Sequence, residues 1–291
     1  MICPLCGAGD TVFKYRIARF TPPFDIYECR ACRFQFRDRT GLDAYSYYDQ
    51  GYYEGGKEFT YTDERRLEEA SRIVWRARMK RLKRRDHSGA EEPAFLDIGC
   101  SFGGLMQIAE EQGYRAYGAE VSEYSGGYAR KRFGGDRIFT GSIEDIALPE
   151  GKFSAAAMIE VIEHIADPRK ALENIARAMR PGGVFLVQTA DMDGLQARRA
   201  KDMYHYYLPG HLSYFDRHNL RNLLMESGFS RTQYIGGVEF GLLPKLLKSR
   251  ASFSRFSEYI KWVRISFYHW MSKITLGPWH LTSSMVILAW K

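Results

Sequence analysis

The stretch Phe95-Leu96-Asp97-Ile98-Gly99-Cys100-Ser101-Phe102-Gly103-Gly104 decides the fold. An apolar run carrying one acid closes on a glycine-rich turn, and Leu105, Ile108 and Ala109 then follow at helical spacing until Gly113. That is a strand, a turn and a helix, which places a close backbone approach at the carboxyl end of a strand, where open α/β sheets bind ligands. With Ser101 in place of the second glycine, the turn also reads as a degenerate GxGxxG, so a dinucleotide site is the rival reading. Asp97 weighs against it: a carboxylate two residues before the first glycine repels a pyrophosphate and favours a ligand with a cationic amino group.

Working outward, a second strand over Tyr114–Ala119 ends in Glu120, 21 residues after Gly99, the position from which an acid can take both ribose hydroxyls. A helix near Tyr124–Phe133, a short strand Arg137–Thr140 and an apolar strand Phe153–Ile159 are expected next. The helix from Pro168 carries Leu172, Ile175, Ala176 and Met179 and breaks at Pro181-Gly182-Gly183, before a strand Val184–Thr189. Asp216 caps a helix to Ser227, and strands Thr232–Ile235 and Ser284–Trp290 complete the chain. Strict alternation of this kind means a parallel sheet covered on both faces. Two of its turns are acidic: Gly141-Ser142-Ile143-Glu144-Asp145 and Glu160-Val161-Ile162-Glu163-His164. Upstream lie a Tyr-rich stretch, Tyr45 to Gly56, a charged helix over 63–85 whose run Arg76 to Arg85 reads as a solvated face, and a linker from His87 to Pro93.

Four of the five cysteines form two CxxC pairs, Cys3/Cys6 and Cys29/Cys32, separated by 22 residues. Two such knuckles present four thiolates to one tetrahedral structural Zn2+. Four closed positions leave no site for water, so the metal is expected to stabilise a small module, not to catalyse. The fifth, Cys100, reads as a small packing residue and not as a nucleophile.

The combination of Asp97, Glu120 and the two acidic turns resembles the class I S-adenosylmethionine-dependent methyltransferases over roughly residues 93–291. The resemblance implies an α/β, Rossmann-like seven-stranded sheet whose last strand, Ser284–Trp290, is antiparallel. It also implies roles. Asp97 and the backbone of Gly99, Cys100, Ser101 and Gly103 would hold the methionine moiety, Glu120 the ribose, and Ser142, Ile143 and Glu144 the adenine edge. Glu160 would lie near the methyl group, with Tyr52 and Val121 completing the cofactor contacts. Ser101 and Ser142 depart from the family pattern, in which glycine and Asp often stand at those places. A zinc ribbon ahead of such a domain resembles the sugar C-methyltransferases and related enzymes of glycan biosynthesis, and also a class of ribosomal-RNA guanine methyltransferases. Tyr52-Tyr53, Glu160 to His164, and Leu208-Pro209-Gly210-His211-Leu212-Ser213-Tyr214-Phe215 favour the first group. The expected organisation is a zinc ribbon at 1–45, a Tyr-rich segment and linker helix at 46–92, and a methyltransferase domain at 93–291 with a basic amphipathic lid inserted at 241–275.

Methyl transfer from a sulfonium is an in-line displacement, so alignment and exclusion of water dominate, but the acceptor's proton must still leave. A histidine suits that task. His211, in the irregular stretch after the fifth strand of the sheet, is the first candidate base and His164 the second, with His205 and Tyr207 as supports. The expected acceptor is a small-molecule or lipid-linked sugar; the alternatives are an RNA base and a non-catalytic cofactor-binding module.

Hydrophobic content of 45% and aromatic content of 14% exclude a disordered or fibrous chain. The net charge of +7 is local: residues 241–291 hold eight basic residues against the single acid Glu258, leaving 34 of each sign upstream. General nucleic-acid binding is therefore not expected. Phe256, Ile260, Val263, Phe267, Trp270 or Met271, and Ile274 mark one stripe of a helix in this basic segment, the pattern of a lid or of a helix lying in a membrane interface. No apolar run reaches the length of a membrane span and the N-terminus lacks a signal-peptide layout, so the expected location is the cytoplasm, with peripheral contact at the inner membrane face.

Overall fold

The computed structural model describes residues 1–39, 45, 48–54, 64–235, 260, 263, 267, 275–276, 279–280 and 283–291. In chain order the first elements are β1 (Thr11–Ile17), β2 (Phe24–Cys29), β3 (Gln35–Arg37), α1 (Gln50–Glu54) and α2 (Glu64–Lys83). Then come β4 (Ala94–Ile98), α3 (Gly104–Glu111), β5 (Arg115–Glu120), α4 (Glu123–Phe133), β6 (Ile138–Thr140), β7 (Phe153–Ile159), α5 (Pro168–Ala178) and β8 (Met179–Ala190). The chain continues through α6 (Leu195–Ala200), β9 (Ser213–Tyr214), α7 (Arg217–Glu226) and β10 (Arg231–Tyr234). A two-stranded pair, β11 (Thr275–Leu276) and β12 (Trp279–His280), precedes β13 (Ser284–Trp290).

Seven strands form one sheet in the order β10-β13-β8-β7-β4-β5-β6. The pairs from β8 through β6 are parallel, whereas β13 runs antiparallel to both β8 and β10. Strands covered on both faces need apolar residues throughout, and β4 is buried at all five positions. In β7 the run Ala155-Ala156-Ala157 keeps the centre of the sheet thin enough for helices to close on either side. One face packs Leu96, Phe153 and Phe185 against Leu172 and Ile175 of α5 and Leu220 and Leu223 of α7. The other packs Phe95, Ala155 and Leu186 against Ile108 of α3 and Met79 and Leu82 of α2. The helix read from sequence as a connecting element thus belongs to the core.

One boundary also differs. α5 ends at Ala178, and Pro181-Gly182-Gly183 lies inside β8 as an irregularity between the pairs Phe153/Met179 and Ala155/Val184. Gly182 has φ +77°, and the bulge is pinned by hydrogen bonds from the His87 amide to its carbonyl and from its own amide to Lys291.

The four cysteines belong to the turns and strand end of a second sheet, ordered β1-β2-β3-β9, with Cys29 closing β2. Its fourth strand is Ser213–Tyr214, which pairs antiparallel with Gln35 and Phe36. Three arginines of this N-terminal part donate to carbonyls of the large domain: Arg19 to Asp202, Tyr204 and Tyr207 at 2.6 to 2.8 Å and Arg37 to Pro209, all in one segment, and Arg39 to Ala166, just before α5. Arg39 also donates to Ser213 Oγ at 2.7 Å. Cys3, Cys29, Phe34 and Phe36 are continuous with the core of the large sheet, Phe34 meeting Phe215 at 5.1 Å between ring centroids.

Candidate active site

The carboxyl ends of β4, β5 and β7 open into a cavity of about 380 Å³. Its floor on one side is the turn after β4. Gly99 (φ +74°) and Ser101 (φ +49°) turn the chain sharply, and a Cβ at Gly99 would stand 2.5 Å from Val161 Cγ2, so the loops after β4 and β7 touch only because that residue is glycine. Asp97, 5% exposed, and Glu120, also 5%, put two carboxylates on this wall. Glu120 is held from both sides: the Ser101 amide donates to its Oε2 at 2.8 Å and the Ser122 amide to its Oε1 at 2.9 Å.

Of the residues expected at a cofactor, Tyr52, Asp97, Gly99, Cys100, Ser101, Glu120 and Val121 line this cavity, as do Ser142, Ile143 and Glu160. Gly103 and Glu144 do not. Gly103 (φ +81°) caps α3, and a Cβ there would strike Phe133 at 2.5 Å. Glu144 is turned inward, accepting from the Asp167 amide at 2.5 Å and from the hydroxyls of Tyr45 and Ser142, so it ties the turn after β6 to the start of α5. Cys100 packs over Gly118, whose Cβ would stand 2.4 Å from its Sγ.

The opposite end is built by Tyr45, Tyr48, Tyr206, Leu208, His164 and His211. His164 and His211 meet edge to face at 4.5 Å between centroids. His164 Nδ1 lies 2.9 Å from the Gly210 carbonyl and 2.6 Å from the Tyr48 hydroxyl. A carbonyl cannot donate, so Nδ1 carries the proton and Nε2 the lone pair. Burial lowers the pKa of His164 to about 4 and, with His164 beside it, holds His211 well below the ordinary histidine value, so both rings stay neutral. Glu163, behind them, accepts from Thr189 Oγ1 at 2.9 Å; burial and then the neighbouring Glu160 raise its pKa well above the carboxylate range.

Between the two ends stands Glu160, non-glycine yet at φ +55°, a strained conformation held by its neighbours. Gln188 Nε2 donates to its Oε1 at 2.8 Å, the Tyr206 hydroxyl approaches the same oxygen at 3.5 Å, and Arg78 of α2, only 4% exposed, donates to Gln188 Oε1 at 2.7 Å. Of the supports named from sequence, His205 lies tilted against Tyr206 at 4.7 Å between ring centroids, and Tyr207 turns away to donate to Gln35 Oε1 at 2.6 Å. It is Tyr206, the residue between them, that reaches the cavity. Tyr45, Tyr48 and Trp75 are further wall residues that motif reading passed over; only the density of tyrosines between 45 and 53 pointed toward them.

The four cysteine sulfurs lie within 4.8 Å of one another, with Cys3–Cys32 at 3.7 Å and Cys6–Cys29 at 3.6 Å. A Zn2+ with Zn–S bonds of about 2.3 Å has tetrahedral edges of about 3.8 Å, so the donor set fits a structural zinc. The basic helix face proposed from sequence as solvated is partly engaged: Arg72 and Arg76 pair with Glu111 of α3, and Lys83 donates to the Gln112 carbonyl.

Comparison with known proteins agrees with this architecture. A family described as "Methyltransferase domain" matches residues 64–234. A probable S-adenosylmethionine-dependent methyltransferase of Mycolicibacterium smegmatis is 26% identical over 141 residues, 48% of this chain and 53% of the relative. A ubiquinone biosynthesis O-methyltransferase of Sinorhizobium medicae is 35% identical over 98 residues, 32% of this chain and 40% of the relative. The chain thus spans about half or less of the length of these relatives. Among solved structures, phosphoethanolamine N-methyltransferase 2 of Haemonchus contortus, in complex with S-adenosylmethionine, shares the fold with a TM-score of 0.53 at 15% identity, covering 95% of this chain and 71% of its own. An Archaeoglobus fulgidus methyltransferase does so at 0.51 and 17%, covering 76% and 95%. With the sheet order, the acidic pair at the ends of β4 and β5 and the family match over more than half of its length, the chain belongs to the methyltransferase-domain family, and its α/β unit is a class I S-adenosylmethionine-dependent methyltransferase domain.

Proposed function

We propose that the protein transfers a methyl group from S-adenosylmethionine to a small polar acceptor, a sugar that is free, nucleotide-linked or lipid-linked. The observation that carries this reading is a single cavity with two chemically different ends, Asp97 and Glu120 at one and the two histidines with Tyr48 and Tyr206 at the other. When bound, the cofactor supplies an electrophilic methyl group on a sulfonium. Asp97 would hold its amino group and Glu120 its ribose hydroxyls, both through charge-assisted hydrogen bonds. Glu160, fixed by Gln188 and Tyr206, marks the boundary between cofactor and acceptor. The tyrosines of the N-terminal arm exclude water from the acceptor end, where alignment of the reacting atoms is the main requirement.

Basic residues between 241 and 291, and the outward apolar residues Ile260, Val263 and Phe267, which are 71%, 57% and 58% exposed, support contact with an anionic membrane surface and hence a lipid-linked acceptor. The rest of the stripe, Phe256, Trp270 or Met271, and Ile274, lies outside the described residues. Among the described residues no helix is long and apolar enough to cross a membrane.

The decisive experiment incubates the chain with labelled cofactor and separated nucleotide-sugar, lipid and RNA fractions. Label in a sugar or lipid-linked fraction supports the proposal, label in RNA redirects it, and no label in any fraction overturns it. Asp97→Ala is expected to weaken cofactor binding in calorimetry at least about tenfold, as loss of one charge-assisted contact implies. An unchanged affinity would remove the cofactor role of Asp97.

A further inference from the structure

We infer that Arg78 of α2 is a positioning residue for the sulfonium end of the cofactor: through Gln188 it fixes the carboxylate of Glu160, and with it the preference of the site for the positively charged methyl donor over its neutral thioether product. Arg78 Nη2 donates to Gln188 Oε1 at 2.7 Å, and Gln188 Nε2 donates to Glu160 Oε1 at 2.8 Å. A guanidinium has only donors and an amide has one end of each kind, so the oxygen of Gln188 must face Arg78 and its nitrogen Glu160. Turned over, the amide would set its NH2 against the guanidinium and its oxygen against the Glu160 oxygen. Arg78 thereby selects which end of the amide the carboxylate meets.

Both ends of this line are held. Arg78 is only 4% exposed, and a cation so buried is costly unless it is paired through hydrogen bonds. Its helix cannot shift easily: Met79 and Leu82 are fully buried in the core beside the sheet. One turn before Arg78, on the same side of α2, the Trp75 ring packs so closely on Gly104 of α3 that a Cβ there would stand 2.5 Å from it. Trp75 lines the cavity and Arg78 does not, so the arginine reaches the site through Gln188.

Glu160, at the other end, has φ +55°, which a residue other than glycine keeps only where its surroundings impose it. Gln188 grips it twice, accepting from the Glu160 amide at 2.9 Å through its own backbone carbonyl and holding the carboxylate through its side chain. In this conformation Glu160 lines the cavity. The inference rests on the methyltransferase reading of that cavity. With the cofactor's amino group on Asp97 and its ribose on Glu120, the sulfur that joins those two parts faces Glu160, the carboxylate between the two ends of the cavity. A fixed carboxylate attracts the sulfonium and has no such pull on the thioether left after transfer, so it retains the donor and lets the product go.

Calorimetry on the full-length chain with two probes, S-adenosylmethionine and S-adenosylhomocysteine, tests this. R78M is expected to weaken S-adenosylmethionine at least about threefold while S-adenosylhomocysteine changes by less than about twofold; Q188M should do the same, and R78K should restore most of the difference. E160Q should lose the preference at least as fully, and R78M/E160Q no more than E160Q alone, because both substitutions act on one group. Loss of a positive charge by itself acts with the opposite sign, tightening the hold on a sulfonium. Tighter S-adenosylmethionine binding in R78M, an equal loss for both probes, or additive losses in the double variant overturns the inference. Should R78M fail to fold by circular dichroism, Q188M and its double variant with E160Q carry the same decision. A wild-type chain that binds neither probe overturns the methyltransferase reading and this inference with it, whereas binding of both probes with the preference unchanged in R78M and Q188M overturns this inference alone.

Discussion

Single atoms decide how the turn after β4 works. Gly99 sits at φ +74° with the space for a Cβ already taken by Val161, so Gly99→Ala must both strain the backbone and push the β7 loop outward. A loss of about 1–3 kcal/mol is expected in denaturant unfolding, together with weaker cofactor binding in calorimetry. Cys100→Ala should by contrast leave binding nearly intact, because its thiol fills space over Gly118. The acids Asp97 and Glu120 were readable from sequence because they lie at fixed offsets from a glycine turn, and that turn fixes where they point. Tyr48 and Tyr206 were not, since a tyrosine at a cavity wall and one in a packing surface look alike until the backbone is folded. Glu144 shows what an acidic turn in a sequence does not tell: its carboxylate accepts from Tyr45, Ser142 and the Asp167 amide.

At the scale of elements, the parallel sheet was legible because doubly covered strands must be apolar and the intervening helices carry 3.6-residue periodicity. Three features lay beyond that logic. α2 shows an apolar stripe with Met79 and Leu82 in its sequence, but its charged surroundings do not tell that the stripe enters the core of the sheet or that Arg78 reaches Gln188. The early start of β8 depends on a bulge, and a Pro-Gly-Gly sequence signals a break more strongly than a continued strand. β9 is two residues long and exists only because β3 offers it a partner. That pairing makes a prediction. In Cys29→Ser metal binding by the cysteines is expected to be lost, and hydrogen exchange should rise across 206–214, which carries the Tyr206, Leu208 and His211 wall of the cavity, while β4 and β5 stay protected. Acceptor turnover should fall with cofactor affinity little changed. Equal protection of 206–214 in both proteins would show that the cysteine sheet does not support the wall.

For the whole molecule, the surplus of positive charge remains confined to the C-terminal segment, and the exposed Ile260, Val263 and Phe267 give it an apolar edge. Flotation with vesicles containing anionic lipid is expected to carry the wild-type chain upward at low salt and to fail when residues 241–275 are deleted; neutral vesicles should bind neither. Binding that is indifferent to lipid charge would oppose the membrane reading.

The sheet shared between Gln35–Arg37 and Ser213–Tyr214 also has a bearing on how the chain is made. On a ribosome the cysteine knuckles emerge first, yet the strand that completes their sheet follows about 175 residues later, roughly ten seconds or more at about 5–20 residues per second. During that interval the nascent module must hold its shape without its partner edge. A metal ion captured by the four thiols early in synthesis would keep β1 to β3 in register until the rest of the polypeptide arrives, and would then aid assembly as well as stability.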